Sequence, residues 1–505
     1  MPNVSSPGPV LAAGPYAPVD PADRRFGLAV GLGFLVVAGF ITAHHEPWRD
    51  EMQAWLLARD SPTVGLLLRN MRYEGHPPLW QLLLFAIQRT IGSTPAAMQA
   101  LNVLLAAAAV AIFAACAPFN RGQRALFAMG FFPLYMYGVI ARDYALTLLC
   151  LFAAVALVAR RREHPIALAI ALVALCWTTI YGLILALALV ATLFLEGPDT
   201  RWPRGWAMLV VAAAALSAWQ VHPPPDSGYA VGWNLGFDLE RVRQVLFAVG
   251  DVFFPLKPPY HPFGHPPWLR NTEWTRWVAA TAGCAALVWA GVTARRTPLA
   301  LRFHLVAVGG LLAFFYTKFI GEFNHHGFVL VAVLCTLWLA ASRAGPPGLV
   351  LTALLLVQAV ATLVPAVRDT RSVFSYGRAV AELLERDRLD HGPLIGYPDA
   401  PMASILGYLP GRTAFFPGPD REGTFTIWDQ ARLRQRDDNE IVATAESLAS
   451  RAGRPAVLVV THVIDHPMAE PLARFVGGYV GPDEDFYLYR ILPRAEKPGE
   501  TRADQ

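Results

Sequence analysis

Between residues 44 and 80 the chain crowds acids, bases and aromatics into one stretch: His44-His45-Glu46-Pro47-Trp48-Arg49-Asp50-Glu51, then Tyr73-Glu74-Gly75-His76-Pro77-Pro78-Leu79-Trp80. It directly follows the first long apolar segment, so these groups stand where a membrane helix emerges into water. Asp50 is placed to take a proton from a substrate hydroxyl or amine as general base, shielded by Trp48 and Trp55 and kept ionised by Arg49. Glu51 stands beside it. A solvated helix N-terminus, where the dipole favours acids, accounts for the same residue types. In the second cluster two prolines set the chain direction at the start of a short helix, and His76 or Arg72 could touch a phosphate held there. A helix-initiating proline turn with a surface histidine, flanked by Tyr73 and Glu74, fits these residues equally well.

Two further clusters carry charge at the ends of apolar runs. Arg142-Asp143-Tyr144 is bounded tightly by apolar sequence, which makes it a functional-site candidate, although such charges also snorkel. Lys318, Glu322, His325 and His326 form the other set. Lysine is rare in this chain, and one in the outer half of an apolar helix suits a lipid phosphate. A structural Lys318–Glu322 pair at helical spacing is the plainer explanation. Asp226, Asp251, Lys257, His261 and His265 share an irregular loop with no third metal ligand at telling spacing. No metal site is therefore assigned, no cofactor is certain, and a divalent metal stays open.

The elements that must hold these groups are membrane helices. Of 505 residues 54% are hydrophobic and 16% charged, too apolar a balance for a soluble enzyme of this length. Basic residues are spread along the chain, so no nucleic-acid footprint is expected. The five cysteines, Cys116, Cys150, Cys176, Cys284 and Cys335, fall in apolar segments and read as packing residues.

Eleven apolar segments, at 26–43, 96–116, 125–141, 145–159, 165–180, 183–196, 206–220, 276–293, 303–319, 328–342 and 348–366, are expected to span the bilayer. Residues 79–91 are short for a crossing. Leaving them as an interfacial or re-entrant helix puts Arg24-Arg25, Arg121 with Arg124, Arg160-Arg161-Arg162, Arg201 with Arg204, Arg295-Arg296 with Arg302, and Arg343 on the cytoplasmic side. The expectation is thus a polytopic α-helical membrane protein. Residues 1–25 form a disordered cytoplasmic tail, 26–366 the transmembrane domain with external loops at 44–94 and 221–275, and 367–505 a soluble extracytoplasmic α/β domain. In that last domain a helix is expected near 376–388 and strands at 394–397, 456–461 and 486–491.

An acidic pair after the first span, then Tyr73-Glu74-Gly75-His76-Pro77-Pro78-Leu79-Trp80, then Arg142-Asp143-Tyr144-Ala145-Leu146 after the third, resembles the C-type (GT-C) membrane glycosyltransferases. Within them the resemblance is to the protein O-mannosyltransferase and aminoarabinose lipid A transferase superfamily, and the likeness covers about residues 26–160. His76 stands where that family commonly has Lys. The resemblance implies Asp50 as catalytic carboxylate, Glu51 as its partner and Asp143 as the acid of a second external loop. It implies an inverting transfer from a polyprenyl-phosphate sugar to a lipid, protein or polysaccharide acceptor outside the inner (plasma) membrane. His76, Arg142, Lys318 and Arg72 would then grip the donor phosphate. A transporter or lipid flippase, a ligase using a diphosphate-linked glycan, and a non-catalytic sensor are the competing readings.

Overall fold

The structure is a computed structural model that describes residues 20–196, 202–229, 232–255, 272–344 and 348–494. In chain order the helices are α1 (Pro21–Thr42), α2 (Arg49–Asp60), α3 (Val64–Met71), α4 (Leu79–Thr90), α5 (Pro95–Cys116) and α6 (Arg121–Ala128). A π-helical turn, Phe131–Val139, leads into α7 (Tyr144–Val158), α8 (Pro165–Cys176), α9 (Ile180–Phe194), α10 (Arg204–Val221), α11 (Leu239–Phe253), α12 (Glu273–Ala294), α13 (Pro298–Thr317), α14 (Phe323–Ala344) and α15 (Leu349–Asp369). Of these, α1, α5, α10, α12, α13, α14 and α15 are long and apolar enough to cross a membrane, and α7, α8 and α9 are shorter apolar helices. Together with the broken α6–π segment they account for every apolar run expected to span.

Small residues let the first span dock closely. A Cβ added at Gly27 would lie 2.6 Å from the Ala115 Cβ, and one at Gly31 2.8 Å from the Ala111 Cβ, so α1 and α5 meet backbone to backbone. That contact fixes where residues 44–51 leave the bundle. The run 125–141 is not one helix, because Pro133 has no N–H to donate and the chain winds into the π-turn. The carbonyls left open at the C-terminal end of this turn are claimed by buried Asn102 on α5, whose amide donates to Tyr137, Gly138 and Ile140 at 3.0, 2.9 and 3.2 Å. The irregular exit aims Arg142 and Asp143.

Helix α4, with 12 residues, is about 18 Å long and too short for a crossing of about 30 Å. It packs on α2, with the Arg89 guanidinium donating to the Ala58 and Ser61 carbonyls at 3.3 and 2.8 Å. The loop 221–275 is less irregular than the sequence suggested. It contains α11, whose residues 247–253 are buried, and a Cβ at Gly250 would sit 2.5 Å from the Ala280 nitrogen of α12. Lys257, His261 and His265 lie outside the described residues.

Beyond the bundle come α16 (Gly377–Arg386), β1 (Leu394–Tyr397), α17 (Met402–Leu406), β2 (Ala414–Phe416), β3 (Arg421–Gly423), α18 (Asp438–Ala452), β4 (Ala456–Val460), β5 (Glu470–Phe475) and β6 (Phe486–Ile491). The strands form one mixed sheet in the order β3-β2-β1-β4-β6-β5, with β1 parallel to β2 and β4. All five residues of β4 are buried, as a central strand covered on both faces requires. Ile395, Leu458 and Val460 face Ile441 and Ala445 of α18, while Val457, Val459 and Leu488 share a core with Met402 and Leu406 of α17 and with Met52, Trp55 and Leu56 of α2. A Cβ at Gly407 would meet the Met52 sulfur at 2.4 Å. The α/β domain is therefore built onto the segment between α1 and α5. Helix α16 and strands β1, β4 and β6 follow the expected pattern, whereas β2, β3, β5, α17 and α18 were not anticipated.

Candidate functional site

The first turn of α2 sends its two acids in different directions. Glu51 is fully buried: Oε1 accepts from the Ala141 N–H at 2.6 Å, and Oε2 accepts from the Trp48 N–H at 3.3 Å and bonds the His45 Nε2 at 2.9 Å. The other ring nitrogen of His45 bonds Asp369 Oδ2 at 2.9 Å, which also accepts from the Tyr135 hydroxyl at 3.1 Å. Burial works against charge on His45, yet the Asp369 and Glu51 carboxylates outweigh it and hold the imidazole well above its ordinary pKa. Glu51 thus clamps the exit of α1, the π-turn exit and the end of α15 together.

Asp50 faces the other way, about one-third exposed and ion-paired with Arg142. The Arg49 Nε lies 3.7 Å from its Oδ1. The Arg49 backbone N–H donates to Glu484 at 2.7 Å, and the Arg49 guanidinium reaches Asp483 at 3.1 Å, so α2 starts on a ledge of the C-terminal domain. Arg142 also lies over the Tyr144 ring, 5.5 Å from its centroid. Asp143 is buried at 4% exposure, its Oδ2 is 3.8 Å from His76 Nδ1, and its Oδ1 has no hydrogen-bond partner. Burial pushes its pKa up against the pull of His76 and Arg142. Burial, helped by Arg142 and opposed by Asp143 and Asp50, lowers that of His76 and so favours the neutral imidazole.

Glu74, partly buried, accepts from the Gln53 amide at 2.8 Å. Burial raises its pKa to about 7, with Asp50 adding to the rise and Gln53, Arg142 and the Trp428 indole opposing it. Three carboxylates, one guanidinium and one imidazole from three separate segments therefore meet in one cleft. Such a cleft can accept a proton and bind an anion side by side.

The other expected site residues take different places. Arg72 donates to the His222 carbonyl at 3.4 Å and lies over Trp219, and the Tyr73 hydroxyl donates to both oxygens of Asp226 at 3.0 and 3.1 Å. Both hold the end of α3 to the loop after α10. Lys318 caps α13 with its Nζ 5.1 Å from the Trp233 ring centre, and Glu322 falls beyond the turn at Gly321, so the two do not share one helix. His325 Nδ1 accepts from the Glu322 N–H at 2.8 Å, and its ring stacks on Tyr181 and meets Tyr144 edge-on. His326 Nε2 bonds the Ile320 carbonyl at 2.7 Å. Tyr144, which accepts from the Asn324 amide at 2.6 Å, links this aromatic group to Arg142. Among the described residues no group of three or more His, Cys, Asp or Glu side chains could hold a metal ion.

Sequence reasoning gave the C-terminal domain and the 221–275 loop a part in shaping the acceptor site but named none of the residues that the domain contributes. Residues 424–433 fold over the cleft: Gln53 and Thr426 exchange bonds of 2.7 and 3.0 Å, Gly228 donates to the Trp428 carbonyl at 2.8 Å, and Gln430 donates to the Asp226 carbonyl at 2.7 Å. The tryptophan in Thr426-Ile427-Trp428-Asp429, set in a soluble segment, was the one available signal.

These features define a class: a polytopic helical membrane protein whose charged cleft lies where the bundle meets a C-terminal α/β domain. The chain is similar to a crystal structure of ArnT from Cupriavidus metallidurans bound to undecaprenyl phosphate, with a TM-score of 0.49 and 14% identity over 92% of this chain and 97% of that one. No family model matches the chain, and no curated protein matches it.

Proposed function

We propose that the protein is a membrane glycosyltransferase that moves a sugar from a polyprenyl-phosphate donor to an acceptor on the extracytoplasmic side of the inner membrane, with its N-terminus in the cytoplasm. The observation that carries this reading is the meeting of Asp50, Glu74 and Asp143 with Arg142 and His76 at one end of an apolar bundle. A lipid-linked sugar presents its phosphate at that depth and its tail in hydrocarbon. An apolar groove of about 470 Å³, lined by Leu79, Leu82, Ile170, Val173, Trp206 and Leu209, begins three residues beyond His76 and suits such a tail.

In the free enzyme Asp50 is held by Arg142. A donor phosphate entering the cleft competes for that guanidinium and releases the carboxylate. Asp50 then takes the proton of the acceptor hydroxyl as its oxygen bonds to the anomeric carbon. The bond from that carbon to the phosphate oxygen breaks, and the electron pair leaves with the polyprenyl phosphate. Arg142 and the His76 N–H stabilise the charge that develops. Glu51 acts by positioning: it holds the Ala141 N–H, and with it the Arg142-Asp143 turn. Asp143, buried and unbonded at Oδ1, is the second carboxylate that could serve as base.

The test is transfer from a panel of labelled polyprenyl-phosphate sugars in membranes carrying wild type or Asp50→Asn. Loss of transfer at undiminished expression supports the reading. Transfer from no member of the panel by the wild type refutes it.

A further inference from the structure

Two aromatic residues stand beside the cleft with no part in the chemistry above. Tyr229, in the loop after α10, is 46% exposed, and its ring centroid lies 5.0 Å from that of the partly buried Trp428 of the C-terminal domain, at 44°. Exposed tyrosine and tryptophan often belong to an interfacial belt. Here the pair is instead built and braced. The Gly228–Trp428 bond at 2.8 Å, the Gln430–Asp226 bond at 2.7 Å and the Ser227–Asp429 bridge join the two segments backbone to backbone. The Arg432 guanidinium lies 4.1 Å from the centre of the Trp428 ring and is itself held by buried Asp399 at 2.9 Å. The Trp428 indole N–H faces Glu74, and the Tyr229 hydroxyl lies within electrostatic reach of Glu74 and Asp50. The half-exposed Tyr229 ring, the Trp428 indole and the Glu74 carboxylate therefore stand side by side on one wall.

A pyranose or furanose ring complements that combination. Its C–H face packs on an aromatic ring, and its hydroxyls donate to carboxylates. A peptide acceptor would call for backbone donors and acceptors, and a purely lipid acceptor for a continuous apolar surface. We propose that Tyr229 and Trp428 form a subsite for a sugar ring, with Glu74 receiving its hydroxyls and Arg432 fixing the indole. The proposal rests on the glycosyltransferase reading above. The ring could be the acceptor's terminal sugar or the sugar of the donor.

The test uses the purified full-length protein in detergent and two measurements. Saturation-transfer NMR with a panel of methyl glycosides, alongside a serine- and threonine-containing peptide, should show saturation on the ring C–H protons of at least one glycoside. Trp428→Ala should weaken that binding roughly tenfold, Tyr229→Ala less, and Trp428→Phe should keep most of it. Binding of undecaprenyl phosphate, measured in parallel, should be unchanged by Trp428→Ala. Displacement of the glycoside by an undecaprenyl-phosphate hexose but not by undecaprenyl phosphate assigns the ring to the donor, and displacement by neither assigns it to the acceptor. No glycoside binding, binding indifferent to both alanine variants, or Trp428-dependent binding of the peptide alone would overturn the subsite. Failure of undecaprenyl phosphate to bind the wild type would instead count against the parent reading.

Discussion

Asp50 and Glu51 are consecutive residues in the first turn of one helix, yet they inhabit opposite kinds of environment. Around Glu51 both carboxylate oxygens and both ring nitrogens of His45 are bonded, and little is left to react. On the Asp50 side the groups are more open to exchange: Asp50 is one-third exposed and paired with Arg142, Asp143 has an unbonded oxygen, and Glu74 keeps its proton to about pH 7. In the clamp Glu51 and His45 are bonded at every polar side-chain atom and Asp369 at one of its two oxygens, which specifies geometry, while the more open groups of the cleft retain capacity for a ligand. The clamp and the cleft share a helix turn so that the first can hold the second in place.

The largest expected effect belongs to the cleft. Asp50→Asn should lower transfer by about 100- to 10,000-fold with little change in thermal stability. Full activity in that variant would pass the base role to Asp143. The clamp should answer in stability instead. Glu51→Ala leaves the protonated His45 short of a partner in a buried site and should cost about 3–5 kcal/mol, read as a lowered unfolding midpoint in detergent. Because the folded pKa of His45 is raised, its contribution to stability is complete below about pH 6.5 and is lost as pH climbs through the elevated folded value. A His45→Gln variant with the wild-type dependence of stability on pH would break this account.

Asp143→Asn should leave stability intact, since it neutralises a buried carboxylate, and should reduce transfer on the order of tenfold. A large loss of stability would place Asp143 with the clamp. Glu74 predicts a smaller effect tied to pH. As pH rises through about 7 its carboxylate ionises beside the phosphate site, so the donor KM should increase in the wild type and stay level in Glu74→Gln. The same raised pKa withdraws stability between its ordinary value near 4.5 and about 7. The smallest effect is expected at Lys318, which lies beside Trp233 and away from the cleft: Lys318→Ala should raise the donor KM by about two- to fivefold at most, at unchanged kcat.

The sequence by itself determined the bundle and the soluble domain, because runs of about 20 apolar residues and short aromatic and aliphatic runs such as Phe486–Ile491 state their environment locally. It also brought forward Asp50, Glu74, His76, Arg142 and Asp143, since charge next to long apolar sequence is conspicuous. What it could not separate was Asp50 from Glu51, whose roles depend on which one turns toward Ala141 and His45, 90 and six residues away. Nor could it show that Arg72 and Tyr73 serve the loop after α10, or that Trp428 reaches the cleft from the last domain. Those assignments were decided by tertiary structure alone, because a side chain's chemistry is set by the groups the fold brings within hydrogen-bonding distance, and most of those groups are remote along the chain.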